Sequence, residues 1–209
     1  MPAKLSKIKP DANNFVTFSF AFLYMDKESD NKIIERIISG DRQAYAYLVD
    51  RYKGPIYNLA FRMTGHHQQT EDLAQEIFLR AYQSLDKFDA SRRFFSWLYT
   101  LALNLLRNHL KKRKPLRLHD ARNTRQKLEV ADHRNPELIV NEMEQCRLLS
   151  QKIQALPVSQ KEAVVLRYYQ DLSFEDIAEI LDISLSAAKM RVYRGLARLS
   201  ELLKKEETC

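Results

Sequence analysis

Four cations and no acid occupy the stretch from Ser184 to Leu199: Lys189, Arg191, Arg194 and Arg198. On a helical wheel Leu185, Ala188, Val192, Leu196 and Leu199 form one apolar stripe, while Ala187, Met190, Arg191, Arg194 and Arg198 fall opposite it. A helix buried on one side and cationic on the other suits a DNA major groove, where arginine and lysine reach guanine edges and phosphates. The same wheel also describes a solvated basic face on an ordinary bundle helix. Two further features separate these readings. The preceding run FEDIAEIL carries Glu175, Asp176 and Glu179, so the two signs of charge sit on consecutive helices. Ser173 is placed to cap that run with Asp176 at its third position, Asp182-Ile183-Ser184 makes a turn, and Ser184 or Ser186 caps the next helix. Together these predict a helix-turn-helix that reads duplex DNA, with Ser184, Ser186, Ala187, Lys189, Met190, Arg191, Arg194 and Arg198 as candidate contacts.

A second constellation lies on the stretch TEDLAQEIFLRAYQSL, which Thr70 is placed to cap with Glu71 and Asp72 in the first turn. Leu73, Ala74, Ile77, Phe78 and Ala81 make its core face. The other side carries Asp72, Gln75, Glu76, Leu79 and Gln83, a leucine set among acids and amides. Such a strip fits a docking surface for a basic partner helix and equally an unremarkable solvated face. A third constellation is FDASRRFFSW: Phe88, Phe94, Phe95 and Trp97 surround a short loop holding Ser91, Arg92 and Arg93. Aromatic rings beside cations can stack unpaired bases and hold the phosphates of a single strand. The spacing of Phe94, Trp97 and Leu98 also suits core packing, which claims Trp97 and at least one phenylalanine. The loop itself, with Asn104 behind it, is the better candidate for base contact.

The elements that must position these residues are helices. Four glycines and six prolines in 209 residues, with Leu, Ala, Glu, Lys, Arg and Gln abundant, predict an all-α chain. No alternating apolar run argues for a sheet. Gly40 and Gly65 read as helix stops, and Gly54-Pro55 as a break or kink. A long helix runs from Phe94 or Phe95 to about Arg113, and Pro115 ends it. Residues 115–136 are polar, charged and aperiodic, the composition of a flexible linker. A second helical block starts near Glu137, and Ser159 through Glu162 has the pattern of a capping box. The reading is two small helical domains, 25–114 and 137–205, joined by that linker, with residues 1–24 as a disordered extension ahead of Met25.

The net charge of +7 favours a polyanionic partner. The second domain is not globally basic; its cations are concentrated on one helix. The densest run, Arg107 with Lys111-Lys112-Arg113-Lys114, closes the first domain, as a solvated helix end or a set of phosphate contacts. Cys146 and Cys209 are far apart, without metal-ligand or disulfide spacing, as expected of a cytoplasmic protein. No run is long enough to insert in a membrane.

Two runs in order, GHHQQTEDLAQEIFLRAYQSLDKF with FFSWLYTLALNLLRNHLKK, then LPVSQKEAVVLRYYQDLSFEDIAEILDISLSAAKMRVYRGLARL, carry a family resemblance. The first resembles the polymerase-binding and promoter-melting region of bacterial sigma-70 factors, the second their C-terminal DNA-binding domain. The size, the two domains and the bare linker are similar to the extracytoplasmic-function group, over about residues 28–204. The resemblance implies a transcription initiation factor, without catalytic residues, metal or cofactor. It implies that Asp72, Gln75, Glu76 and Leu79 dock on core RNA polymerase. It implies that Phe88, Ser91, Arg92, Arg93, Phe95, Asn104, Arg107 and Lys111 take the non-template strand of the minus-ten element, and that the helix from Leu185 reads minus-thirty-five promoter DNA. An anti-sigma factor is the implied inhibitory partner. Two positions depart from the family's pattern: Asn108 stands where an acid is usual, and Lys111 where an arginine is.

Two other readings compete. A conventional helix-turn-helix regulator, binding duplex unaided, explains residues 173–199 but neither the Leu79 strip nor the aromatic-arginine loop. An enzyme acting on nucleic acid lacks support: His66, His67, His109, His119 and His133 have no metal-ligand spacing, and no glycine loop cradles phosphate.

Overall fold

The computed structural model describes residues 27–113 and 136–204, and every regular element among them is helical. The helices are α1 Lys27–Ile38, α2 Tyr45–Thr64, α3 His67–Gln83, α4 Phe94–Arg113, α5 Pro136–Gln154, α6 Val158–Tyr168, α7 Phe174–Leu181 and α8 Leu185–Lys204. The expected extension over 1–24 and the expected linker, apart from Pro136 which opens α5, lie outside the described residues.

Glycine sets two of the stops. Gly65 adopts φ 74° and donates its N–H to Phe61 O at 2.8 Å, closing α2 with the left-handed residue that only glycine takes without strain. Gly40, at φ 109°, turns the chain after α1. Three local expectations are corrected, each by tertiary contact. Gly54-Pro55 does not break the chain, because α2 runs unbroken through Pro55. Leu48, Tyr52, Ile56, Leu59 and Met63 of that helix are fully buried, and several such side chains at about 1.5–3 kcal/mol each outweigh one helix proline at about 3 kcal/mol. Thr70 does not cap α3. The helix begins at His67, whose ring packs on Phe61 at 4.3 Å and whose Nδ1 pairs with the Tyr57 hydroxyl at 2.8 Å. Thr70 is instead buried inside the helix, donating to His66 O at 2.7 Å. Ser159 and Glu162 form no capping box. The cap of α6 is Pro157, without a side-chain bond, and Glu162 turns away to Arg107.

The first half packs α1 to α4 around Tyr52, Ile56, Ile77, Leu98, Leu103 and Leu106. Asp30 pins α1 to α2, pairing with Arg51 and accepting from the Tyr52 hydroxyl at 2.5 Å. In the second half Val164, Ile177, Ile180 and Val192 are buried where α6, α7 and α8 meet. Gly195 lets α8 lie against α6, since a Cβ there would stand 2.5 Å from Val164 Cγ2.

The halves also pack on each other: α2 meets α5 and α6, and α4 meets α7. The last carbonyls of a helix have no partner within it. At the end of α2 the second half supplies them, with Gln154 Nε2 donating to Arg62 O at 2.8 Å and Lys161 Nζ to Met63 O at 3.3 Å. Lys161 also donates to Gln154 Oε1 at 2.9 Å. Burial pulls its ammonium down to about 8, against the opposing pull of the Glu162 carboxylate. A lysine whose pKa is lower in the folded than in the unfolded chain releases its proton first in the fold, so stability rises with pH between the two values. Chemical unfolding of wild type and Lys161→Met should therefore run parallel below about pH 8, with wild type gaining on the variant up to about 10.5. A constant difference across that window would place Lys161 in water.

Candidate functional site

The helix-turn-helix is built as its capping residues dictate. Ser173 Oγ accepts from Asp176 N at 3.0 Å, and the Asp176 carboxylate accepts from Ser173 N at 3.3 Å and Ser173 Oγ at 2.6 Å. Helix α7 ends at Asp182, in the left-handed region at φ 53°, and Ile183 donates back to Ala178 O at 3.0 Å. Of the two serines that could cap α8, Ser184 does so, accepting from Ala187 N at 3.2 Å; Ser186 Oγ lies 3.1 Å from Ser184 Oγ. Ala188, Val192 and Leu199 are buried and Leu196 is half-buried against the rest of the half. Leu185 departs from the expected stripe. It stands in the first turn of α8 and is 38% exposed.

On the other face Ser184, Ser186, Lys189, Met190, Arg194 and Arg198 are exposed, with Ala187 and Arg191 half-buried beside them. One residue of this face was missed in the sequence. Tyr193 is 57% exposed, and its ring lies 6.2 Å from that of Phe174, over which Lys189 Nζ stands at 5.8 Å. Its position three residues beyond Met190 and four beyond Lys189 was the available signal.

On α3, Asp72, Gln75 and Leu79 are exposed, Leu79 to 53%, and Glu76 is half-buried. Leu73, Ile77 and Ala81 are buried on the reverse. Arg80, absent from the expected strip, donates to Glu76 Oε1 at 2.5 Å. A surface pair of this kind contributes about 0.3–0.5 kcal/mol and leaves Glu76 able to exchange partners.

The aromatic-arginine loop is corrected in part. Phe88 and Phe95 are buried, at 9% and 7% exposure, so neither offers a ring face to a base. Phe88, Phe94 and Trp97 pack together with ring centroids 5.5 to 5.7 Å apart, and Phe95 sits edge-on to Tyr99 at 4.9 Å. Aromatic area of this size is worth more in a core than in water, and the loop turns inward to bury it. What stays outside is polar. Ser91 N donates to Asp89 Oδ1 at 2.9 Å, forming a turn that leaves Ser91 and Arg92 exposed. Asn104, Arg107 and Lys111 share one face of α4, and Asn104 Oδ1 accepts from Arg107 Nη1 at 3.0 Å. Arg93 and Arg107 do not face solvent alone; both reach across to acids of the second half.

Among the described residues no three His, Cys, Asp or Glu side chains are grouped to hold a metal ion, and no helix is long and apolar enough to cross a membrane. His119 and His133 lie outside those residues.

Residues 48–115 match the model of Sigma-70 region 2 and residues 146–199 that of Sigma-70, region 4. The chain is 39% identical over 179 residues to the ECF RNA polymerase sigma factor SigW of Bacillus subtilis, covering 83% of this chain and 96% of that one. It is 30% identical over 173 residues to the ECF RNA polymerase sigma-E factor of Escherichia coli K12, covering 80% and 90%. In fold it is similar to CnrH, solved with the cytosolic domain of CnrY, at TM-score 0.64, 24% identity and coverage of 86% and 99%. It is also similar to the sigma factor RpoE of Bartonella quintana, solved with the anti-sigma factor NepR, at TM-score 0.58, 23% identity and coverage of 77% and 96%.

Proposed function

Because the chain belongs to the extracytoplasmic-function group of sigma-70 transcription initiation factors, we propose that it divides the work of promoter recognition between its two halves. Residues 25–114 dock on core RNA polymerase through Asp72, Gln75, Glu76 and Leu79 and take the minus-ten non-template strand at Ser91, Arg92, Arg93, Asn104, Arg107 and Lys111. Residues 137–205 read the minus-thirty-five duplex with α8, and 115–136 span the spacer between the two elements. The observation that carries this reading is the pairing, on one chain, of an exposed leucine strip on α3 with a face of α8 that from Ser184 to Leu199 carries cations and no acid. A regulator that binds duplex unaided has no use for the strip.

Opening a duplex costs a few kcal/mol per unstacked step. With Phe88 and Phe95 in the core, the offset comes from edge contacts to an extruded base at Asn104 and from the arginines that hold its phosphates. The polymerase supplies the catalysis, and the work is done where the polymerase is, in the cytoplasm. RpoE of Bartonella quintana is solved with the anti-sigma factor NepR, and a partner of that class, covering the docking strip and α8, fits this chain.

Asn104→Ala should spare polymerase docking and closed complexes but reduce open complexes about tenfold, within the roughly 1–3 kcal/mol that a good side-chain contact to a base edge is worth. Permanganate-reactive thymines near the start site are the readout. Undiminished reactivity in Asn104→Ala, and also in a chain whose residues 89–93 are rebuilt as Gly-Ser, would move melting to another part of the molecule.

A further inference from the structure

The short loop between Phe88 and Phe94 is held from outside by α1. Both ends of the loop are fixed in the core: Phe88 and Phe94 are buried and meet edge to face, their ring centroids 5.7 Å apart. Between them Ala90, Ser91 and Arg92 are exposed. Asp89 bends the chain there, its Oδ1 accepting from Ser91 N at 2.9 Å and its carbonyl from Arg92 N at 3.0 Å. Such a turn sets the local bend, not where the bend stands on the body of the domain. Asn31 on α1 supplies that reference, its Nδ2 donating to Ala90 O at 3.2 Å across 59 positions.

Asn31 is itself well anchored. Its neighbour Asp30 pairs with Arg51 and accepts from the Tyr52 hydroxyl, and the Tyr52 ring meets the edge of Phe94 at 5.5 Å. These contacts close a circuit from Phe94 through Tyr52, Asp30 and Asn31 to Ala90. The crest of the loop is thereby tied to the same core as its end. Asn31 Oδ1, meanwhile, is buried with no hydrogen-bond partner among the described residues. A buried acceptor left unpaired costs more than one exposed neutral hydrogen bond returns, so stability does not account for an asparagine here.

We propose that Asn31 is a positioning residue for strand capture, setting through Ala90 O the height at which Ser91 and Arg92 meet the minus-ten non-template strand. The inference rests on the assignment of that loop to the strand. A functional group reads its ligand only when neighbouring hydrogen bonds hold it within about 0.5 Å of the right place. A loop cut free from α1 should lose discrimination before it loses attraction. Arg92 can still find a phosphate, which carries no sequence information, while a base edge meets Ser91 at a shifting distance.

The test uses holoenzyme assembled from core polymerase and the whole chain, on a promoter that the wild type opens, with each non-template base of the minus-ten element varied in turn. Asn31→Ala leaves α1 a better helix former. On the preferred sequence it should reduce permanganate-reactive open complexes about three- to tenfold, the size of one neutral hydrogen bond. On sequences already carrying a disfavoured base at the position the loop reads, it should change little, so the base preference there collapses. Polymerase docking and minus-thirty-five binding should not move. An equal fall on every sequence would mark a merely structural role and overturn the inference. Asn31→Asp keeps the shape but loses the donor, so it should match Asn31→Ala; wild-type opening in it would overturn the inference too. Should Asn31→Ala lose native helicity, Asn31→Asp carries the same comparison. The chain with residues 89–93 rebuilt as Gly-Ser separates the two levels of the account. Wild-type opening in that chain removes the minus-ten assignment and the inference with it. A defect there, beside wild-type opening and base preference in Asn31→Ala, removes the inference alone. Added to the rebuilt chain, Asn31→Ala should have no further effect, because residues acting through one another are not additive; defects that multiply would place the action of Asn31 elsewhere.

Discussion

Leu79→Asp is expected to abolish binding to core RNA polymerase while the chain keeps its helicity. Leu79 is 53% exposed, so the substitution neither opens a cavity nor buries a charge. Its neighbours on the surface are Asp72, Gln75 and the Glu76–Arg80 pair, and a central apolar anchor ringed by polar groups is where interface energy concentrates. Placing a carboxylate at that centre loses the anchor and desolvates a charge, a loss of about a hundredfold or more in affinity. Ile77 supplies the contrast: fully buried two residues earlier, Ile77→Asp should unfold the first half. Phe78 is a poorer control, because it is only partly buried and its carbonyl accepts from the Tyr45 hydroxyl at 2.6 Å. Co-purification with core enzyme, alongside circular dichroism, reads both outcomes. Native helicity with unchanged co-purification for Leu79→Asp would remove the strip from the docking surface.

Arg194→Ala is expected to weaken minus-thirty-five binding by roughly ten- to a hundredfold, the 1–3 kcal/mol that a base-edge arginine contributes. Arg194 is exposed while its neighbour Val192 is fully buried, so the loss should be one of binding and not of folding. The pattern across sequences distinguishes the two kinds of contact. A base reader loses discrimination at one position. A phosphate contact weakens all sequences alike and lowers the salt slope by about one. Tyr193→Ala should also weaken binding, since its exposed ring shares that face with Lys189 and Arg194. Loss of helicity in Arg194→Ala would show that the helix is phased differently about its axis.

What the sequence disclosed followed the range of the forces involved. The Ser173/Asp176 box and the Ser184 cap are contacts over three residues, and both form. The buried and exposed sides of α3 and α8 follow from helical periodicity, which needs no knowledge of partners. Thr70, Pro55 and Ser159 went the other way, because packing of His67 on Phe61, burial of α2 and the Glu162–Arg107 pair outweigh local preference. In the loop, composition could not tell which side of each ring turns inward; Phe88 and Phe95 entered the core, and Arg92 and Ser91 stayed out. Least legible were the contacts between the halves. Arg93 meets Glu179 across 86 positions and Arg107 meets Glu162 across 55, separations at which no spacing rule operates.

Docking, reading and opening by this one chain should direct polymerase to promoters. Run-off transcription with purified core polymerase on a promoter library tests it most directly. Transcripts that appear only when the chain is added, that start a fixed distance downstream of a two-part motif, and that vanish with Leu79→Asp are the result expected. Nanomolar binding to linear duplex by the chain alone, with no transcript that depends on it, would contradict the claim and leave a conventional helix-turn-helix regulator in its place.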